Sequence, residues 1–405
     1  MKILVVCQYF FPEQFRVNDI CSELVKEGHE VTVLTGLPNY PSGIVDEKYK
    51  AFKNRREEIN GVTVIRSWLL GRGEGTKRLA LNYVSFAVSS TLKAMFIKKD
   101  FDLILVYQLS PVTMALPGIL LKKLTKKPLV LYCHDLWPES IASAGISSDS
   151  KIYSILLKIS KWIYKSADEI FTSSKLFEEY FKNTLDIHDN ITHLPVYAEA
   201  LFENIKPIDK SNDVINLVFA GNIGEMQSVE TIIYAANELK KDQYIKFHIV
   251  GDGSSREKCE ELTNQLKLDN VIFHGQHPIT EMPRFYEMAD AFLITLKANK
   301  VISYTLPNKV QSYMAAGKPI IGSIDGETQI VINDANCGLC TSAENYKELA
   351  DNIRKFAKEK EKHSLYGQNA RNYYDSNFSK QIYMERLNNL LTKIISDGDV
   401  KYVQG

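Results

Sequence analysis

Three short loops carry residue types that hold phosphate. Gly221-Asn222-Ile223-Gly224 follows the apolar run 215–220 and precedes a helix-like stretch at 229–239. Gly251-Asp252-Gly253 follows 246–250 and leads to Arg256. Pro307-Asn308-Lys309 enters a helix-like segment that ends in Met314-Ala315-Ala316-Gly317. A strand–glycine–helix turn presents backbone N–H groups at a helix N-terminus, where an anion is stabilised. Lys309 adds a point charge suited to a diphosphate, and Arg256 offers a second cation at the next strand end. Any strand–helix turn needs glycine, so one such loop says little. Three in order within one half of the chain point to a phosphate ligand.

Other motifs are absent or bland. The chain has no GxxxxGK[ST], HExxH or GxSxG. Gly71-Arg72-Gly73-Glu74-Gly75 is glycine-rich without a dinucleotide fingerprint and reads as a mobile surface loop. Asp100-Phe101-Asp102 has a metal-binding look, but it directly precedes a strand and reads as a solvated turn. Cys337-Gly338-Leu339-Cys340 has redox or zinc spacing without a second pair or a histidine cluster. No metal site is expected.

Alternating strand and helix signals must position these loops. In the first half, strands are expected at 3–7, 30–35, 62–68, 103–107, 129–133 and 169–173, with helices at 19–27, 77–96 and 151–165 between them. The pattern restarts with strands at 215–220, 246–250, 271–273, 291–295 and 319–322. This is the signature of helix-covered parallel sheets. The expected fold is α/β, with two Rossmann-like domains facing across a cleft: an N-terminal domain at 1–198 and a C-terminal domain at 199–378. The polar stretch 197–213, with Pro207 near its middle, is the linker. A last helix at 379–395, with Leu387, Leu390, Leu391, Ile394 and Ile395 on one face, is expected to return to the first domain.

The 405 residues balance to zero formal charge, which argues against a general nucleic-acid binder. The balance is uneven: between Arg72 and Lys165, fourteen Lys/Arg face six Asp/Glu, an excess of +8. The 77–99 segment is apolar on more than one helix face with cations at both ends, which fits either a buried helix or shallow insertion at a membrane. Lys122, Lys123, Lys126 and Lys127 suit an anionic leaflet or a solvated helix end. No targeting segment or spanning helix is visible, and the cysteines fit a reduced compartment. A cytoplasmic protein, peripheral on the inner face of the membrane, is expected.

The ordered motifs GNIG, GDGSSRE, FHGQ, PNKVQSYMAAGKPIIGS, DGE and CGL resemble the donor half of family 4 glycosyltransferases with the GT-B fold. FFPEQFRVNDICSELVKEGHEVTVLTGLPNYP and HDLWPES resemble a subgroup of bacterial L-fucosamine (L-FucNAc) transferases of O-antigen and capsule assembly. The resemblance implies a UDP-sugar donor on the C-terminal domain, with diphosphate on 221–224 and Asn308-Lys309 and uracil near Gly275, Gln276 and His277. It implies a polyprenyl-diphosphate-linked sugar acceptor on the N-terminal domain, and no metal or cofactor. Tyr304 and Ser312 stand where the wider family has two glutamates. Asn222 and Gln227 stand where it has a basic pair, and Gln14-Phe15 replaces a glycine pair. Lys309, with Arg256 or Lys297, is left to neutralise the diphosphate. The wider family retains configuration, whereas a β-L-sugar donor giving an α product needs inversion and a general base. Asp135, His134 and Glu13, in that order, are the candidates. A sugar-nucleotide epimerase of this fold and a non-catalytic donor-binding subunit are the alternative readings.

Overall fold

The computed structural model describes residues 1–142, 147, 149–206 and 213–403. Pro207 of the expected linker lies outside them. The chain forms two compact units. One comprises 1–173, 177–194 and the chain from Met384 onward; the other comprises 174–176 and 195–383.

In the first unit the strands are β1 (Lys2–Val6), β2 (Glu30–Thr35), β3 (Arg56–Ile59), β4 (Val62–Arg66), β5 (Leu103–Gln108), β6 (Leu129–Cys133), β7 (Glu169–Thr172) and β8 (Ile191–His193). They pair in the order β3-β4-β2-β1-β5-β6-β7-β8, and only β3 runs antiparallel to its neighbour. All residues of β5 and β6 are buried, as unbroken apolar runs covered on both faces should be. The helix Arg16–Lys26 buries Val17, Ile20, Cys21 and Leu24 in one stripe and gives way to Gly28 at φ +87°. The charged strand β3, Arg-Glu-Glu-Ile, protects the sheet edge and escapes a search for apolar runs. The last helix, Lys380–Val403, packs on this unit: His29 Nε2 lies 2.9 Å from Asn388 Oδ1.

The second unit holds β9 (Ile215–Ala220), β10 (Ile245–Val250), β11 (Val271–Gly275), β12 (Ala291–Thr295), β13 (Ile320–Ser323) and β14 (Gly338–Thr341). All are parallel, in the order β11-β10-β9-β12-β13-β14. In both sheets the strand order reverses beside the opening strand, β1 with β5 and β9 with β12. The carboxyl ends of such a pair splay their loops apart and leave room for a ligand.

Two motifs resolve into structural roles. Asp100 accepts from Lys2 Nζ (2.7 Å) and Lys98 Nζ (2.8 Å), which hold its carboxyl down at about 2, and Asp102 accepts from the Lys2 backbone N–H (2.8 Å). Cys337 and Cys340 flank and enter β14, where burial pushes both thiols up to about 12.

Candidate functional site

In the second unit the loops after β9, β10 and β11 are joined backbone to backbone. Gly221 N–H donates to Val250 O (2.9 Å), Ile223 N–H to Asp252 O (2.8 Å) and Gly251 N–H to Gly275 O (2.8 Å). Gly251, at φ +141°, would put a Cβ 1.8 Å from Gly221 O, so no other residue fits there. Gly224 N–H donates to Gln227 Oε1 (3.2 Å), which also takes Asn222 Nδ2 (3.1 Å). This corrects the expected open row of N–H groups. Three of the four in 221–224 are already bonded, leaving the Asn222 N–H as the one without a partner among the described residues.

Lys309 is different. Its helix, Asn308–Ala315, is docked on the end of β9 by Tyr313, whose hydroxyl donates to Ala220 O (3.0 Å) and accepts from Ala220 N (3.1 Å). The Tyr313 ring stacks on Phe292 of β12 at 3.9 Å. That docking sets Lys309, on the first turn, over the β9–β12 switch point. Its Nζ lies 4.1 Å from the Phe219 ring centroid and 2.8 Å from where a Gly221 Cβ would stand. No carboxylate pairs with it among the described residues, and burial lowers its pKa to about 8. A desolvated, unpaired ammonium at a helix N-terminus is built to receive an anion. Asn308 is exposed beside it.

Arg256 is committed elsewhere: Nε donates to Glu260 (2.8 Å), Nη1 lies 3.7 Å from Asp252, and Glu260 raises its pKa. Lys297 pairs with Glu344 (3.4 Å) and Glu230 (3.7 Å). Gln276 is exposed, and His277 is held by Glu281, the His274 carbonyl and Arg284. Gly275 turns at φ +75° beside the Arg256 guanidinium. Ser312 donates to Glu199 (3.3 Å), and Tyr304 is buried with its carbonyl bonded by Ser174. Glu327, passed over as a site residue, accepts from the backbone of Lys175 (3.2 Å) and Leu176 (3.0 Å) and ties that strap to the unit.

In the first unit the three sequence candidates lie in loops at the carboxyl ends of strands, Glu13 after β1 and His134 and Asp135 after β6. Glu13 is buried, with Oε1 accepting from Asn39 N (2.8 Å) and Tyr40 N (2.7 Å) and Oε2 from Phe10 N (3.3 Å). It joins the loops after β1 and β2; burial outweighs the three N–H groups and pushes its pKa up to about 7. His134 follows β6, its ring 4.0 Å from Tyr107 and 4.1 Å from Tyr132, centroid to centroid. Its Nε2 is shielded without a partner, and burial drives its pKa down to about 3, so it is neutral in the physiological range. Asp135 accepts from Ser110 N (3.1 Å) and Oγ (3.2 Å); burial raises its pKa and Ser110 opposes the rise.

The loop expected to be mobile supplies a neighbour to this site. Gly73 N–H bonds Gly43 O (2.8 Å), Arg72 N–H bonds Asn39 Oδ1 (3.0 Å), and Asn82 donates to that same oxygen (3.2 Å). Arg72 and Asp135 both act electrostatically on Tyr83. The basic residue between two glycines was the only sequence signal for this contact.

Two parallel α/β units, each with its polar residues at the carboxyl ends of its strands, define the GT-B architecture. Residues 14–196 match the family model described as "Glycosyl transferase 4-like domain", and residues 202–373 match "Glycosyl transferases group 1". Together the two matches span most of the chain, which is a glycosyltransferase whose second unit matches the group 1 family. It is 26% identical over 376 residues to WcaI of Escherichia coli (strain K12), named as a colanic acid biosynthesis glycosyl transferase, covering 87% of this chain and 91% of that one. Sucrose-phosphate synthase of Thermosynechococcus elongatus shares the fold at TM-score 0.76 and 16% identity, over 98% of this chain and 99% of the other. Anabaena HepE, solved in complex with UDP, does so at TM-score 0.71 and 14% identity, over 97% and 100%.

Proposed function

We propose that this glycosyltransferase moves an N-acetylaminosugar, L-FucNAc as the specific candidate, from a UDP-sugar to a polyprenyl-diphosphate-linked sugar. The product belongs to a bacterial surface polysaccharide of the O-antigen or capsule kind. The acceptor is lipid-linked, so the enzyme works at the cytoplasmic face of the membrane. The observation that carries the reading is Lys309, an unpaired and desolvated cation over the β9–β12 switch point. The name of WcaI supports the pathway class, and the HepE–UDP complex supports a uridine donor.

In this mechanism the donor diphosphate lies against Lys309 Nζ and the free N–H groups at the start of the Asn308–Ala315 helix. Their positive charge grows in value as the leaving phosphate oxygen gains negative charge, which accelerates bond cleavage. No metal is needed for that step. Gly221 to Gly224 and Gly275 to His277 bound the nucleotide, and Arg256 braces the loop through Glu260. Asp135 takes the proton of the acceptor hydroxyl as that oxygen attacks the anomeric carbon, and the glycosyl–phosphate bond breaks to release UDP. Burial, which raises the Asp135 pKa, makes the carboxylate a better base than a solvated one. Neutral His134 orients the acceptor, and Glu13 holds the loops around it. The test is a panel of UDP-sugars against polyprenyl-diphosphate-linked aminosugars, with the product anomer read by NMR. Measurable UDP binding with no donor consumed on any acceptor would refute transfer, and consumption of UDP-GlcNAc alone would refute the L-FucNAc assignment.

A further inference from the structure

A second basic site lies in the first unit, apart from the carboxyl-end residues above. A recess of about 300 Å³ runs along one face of β1, β2 and β4. Lys2 pairs in register with Glu30, Leu4 with Thr32 and Thr32 with Thr63, so alternate residues of three strands form its floor. Five cations line it (Lys2, Arg55, Arg56, Lys93 and Lys98) against two carboxylates, Glu30 and Asp100. Lys2 and Lys98 share Asp100, and Lys2 also reaches Glu30 (3.8 Å). Arg55, Arg56 and Lys93 have no carboxylate partner among the described residues. Arg55 Nε and Nη1 are shielded and make no hydrogen bond, an orphaned donor pair that native interiors rarely leave.

The rim of the recess is apolar. Phe96, which lines it, is 82% exposed, and Leu92, Val88, Val84 and Leu81 continue from it at helical spacing along Thr76–Ala94, each about half exposed. The opposite side of that helix buries Phe86, Ala87, Ser90 and Ala94. The helix is therefore apolar on two sides, one packed and one open. An anion with a hydrocarbon tail complements both parts: the phosphate meets Arg55, Arg56 and Lys93, and the chains meet the stripe. The other basic group is partly used within the protein. Lys122 pairs with Asp168 (2.7 Å) and Lys123 lies over Trp162.

We propose that this recess binds the headgroup phosphate of an anionic phospholipid, with the Leu81–Phe96 stripe in the acyl boundary, and so docks the first unit on the membrane. This rests on the membrane part of the proposed function and assigns residues to it. The test is flotation of the full chain with vesicles of phosphatidylcholine, alone or doped with phosphatidylglycerol. Binding is expected only to the doped vesicles. R56A/K93A should weaken it about thirtyfold, the change expected when two cations leave an anionic surface, and L92S/F96S should weaken it as well. K126A/K127A should bind as wild type. UDP affinity, read by calorimetry, should be unchanged in all three variants. Unchanged flotation of R56A/K93A, or loss confined to K126A/K127A, overturns the assignment. Binding of inorganic phosphate that R56A/K93A abolishes, without any flotation, would make the recess a soluble-anion site and also overturns it. Flotation as expected with no glycosyl transfer upholds the recess and refutes only the transfer reading.

Discussion

Replacing Lys309 by Met should move stability and UDP affinity in opposite directions. Met keeps most of the side-chain volume and removes the charge. Burial lowers the Lys309 pKa from 10.5 to about 8, so the folded state disfavours the charged form. At 1.36 kcal/mol per pKa unit that is a cost of about 3 kcal/mol to the empty protein at neutral pH. The Phe219 ring at 4.1 Å returns part of it, on the order of 1 to 2 kcal/mol for a desolvated cation–π contact. The Met variant without UDP should then gain about 1 to 2 kcal/mol and melt a few degrees higher. UDP should bind it about 10- to 150-fold more weakly, the value of a lost charge-assisted bond of roughly 1.5 to 3 kcal/mol. Scanning fluorimetry without ligand and calorimetry with UDP measure the two effects. A Met variant that is less stable without ligand, or that binds UDP as wild type, refutes the reasoning.

The pH dependence follows with a definite sign. Between about 8 and 10.5 the unfolded chain keeps the Lys309 proton and the folded chain has lost it, so this group makes wild-type stability rise with pH across that window. Below 8 its full cost is present. UDP binding runs the other way, weakening as pH climbs through about 8, by at most tenfold per unit. Both slopes should be missing from the Met variant.

Asp135→Asn should cut transfer by at least about a hundredfold, the low end for loss of a general base, with UDP affinity unchanged by calorimetry; near-normal turnover removes Asp135 from the mechanism. Gly251→Ala should destabilise the second unit and abolish UDP binding, because its Cβ would sit 1.8 Å from Gly221 O at φ +141°; a soluble variant with normal thermal unfolding would contradict this. Glu13→Gln should cost about 1 to 3 kcal/mol, since one amide oxygen cannot accept all three backbone N–H groups. With a folded pKa of about 7, Glu13 holds a proton between 4.5 and 7 that the unfolded chain has lost, so its contribution to stability falls as pH rises through that window. Denaturant titrations at several pH values should show a shallower fall in the Gln variant.

The sheets were legible because most of their strands are apolar runs or alternate apolar with polar residues, and β2, β6, β9 and β12 fall on the expected residues. What escaped is what periodicity does not encode. Strand β3 is charged because it is an edge, β8 has three residues, and β14 overlaps Cys337-Gly338-Leu339-Cys340, which invites a chemical reading. Gly338 is there for a packing reason, since a Cβ would lie 1.8 Å from Ile320 O. Helix 77–96 was read as apolar on more than one face, but composition could not tell which side meets the sheet. Only the packing of Phe86 and Ala87 decides that Val84 and Val88 face outward.

The same limit governs the site, and it separates Lys309 from Arg256. Both are cations near glycine loops at strand ends, and the sequence names Lys309 first with Arg256 as a second cation. Arg256 has Glu260 one helical turn on and Asp252 one turn back, so its charge is spent locally and an anion would have to displace a carboxylate. Lys309 has no acid at either spacing: its i−4 and i+4 neighbours are Thr305 and Tyr313, and its i−3 and i+3 neighbours are Leu306 and Ser312. Ser312 also stands at a position where the resemblance to family 4 glycosyltransferases implies a glutamate. Restoring that acid would set a carboxylate three residues from Lys309 on the same helix face, close enough to pair with it and quench the charge. Ser312→Glu should therefore lower UDP affinity while raising the Lys309 pKa, and Ser312→Gln, similar in size and uncharged, should not. Equal losses in the two variants would mean that bulk near Glu199, not charge on Lys309, sets the affinity.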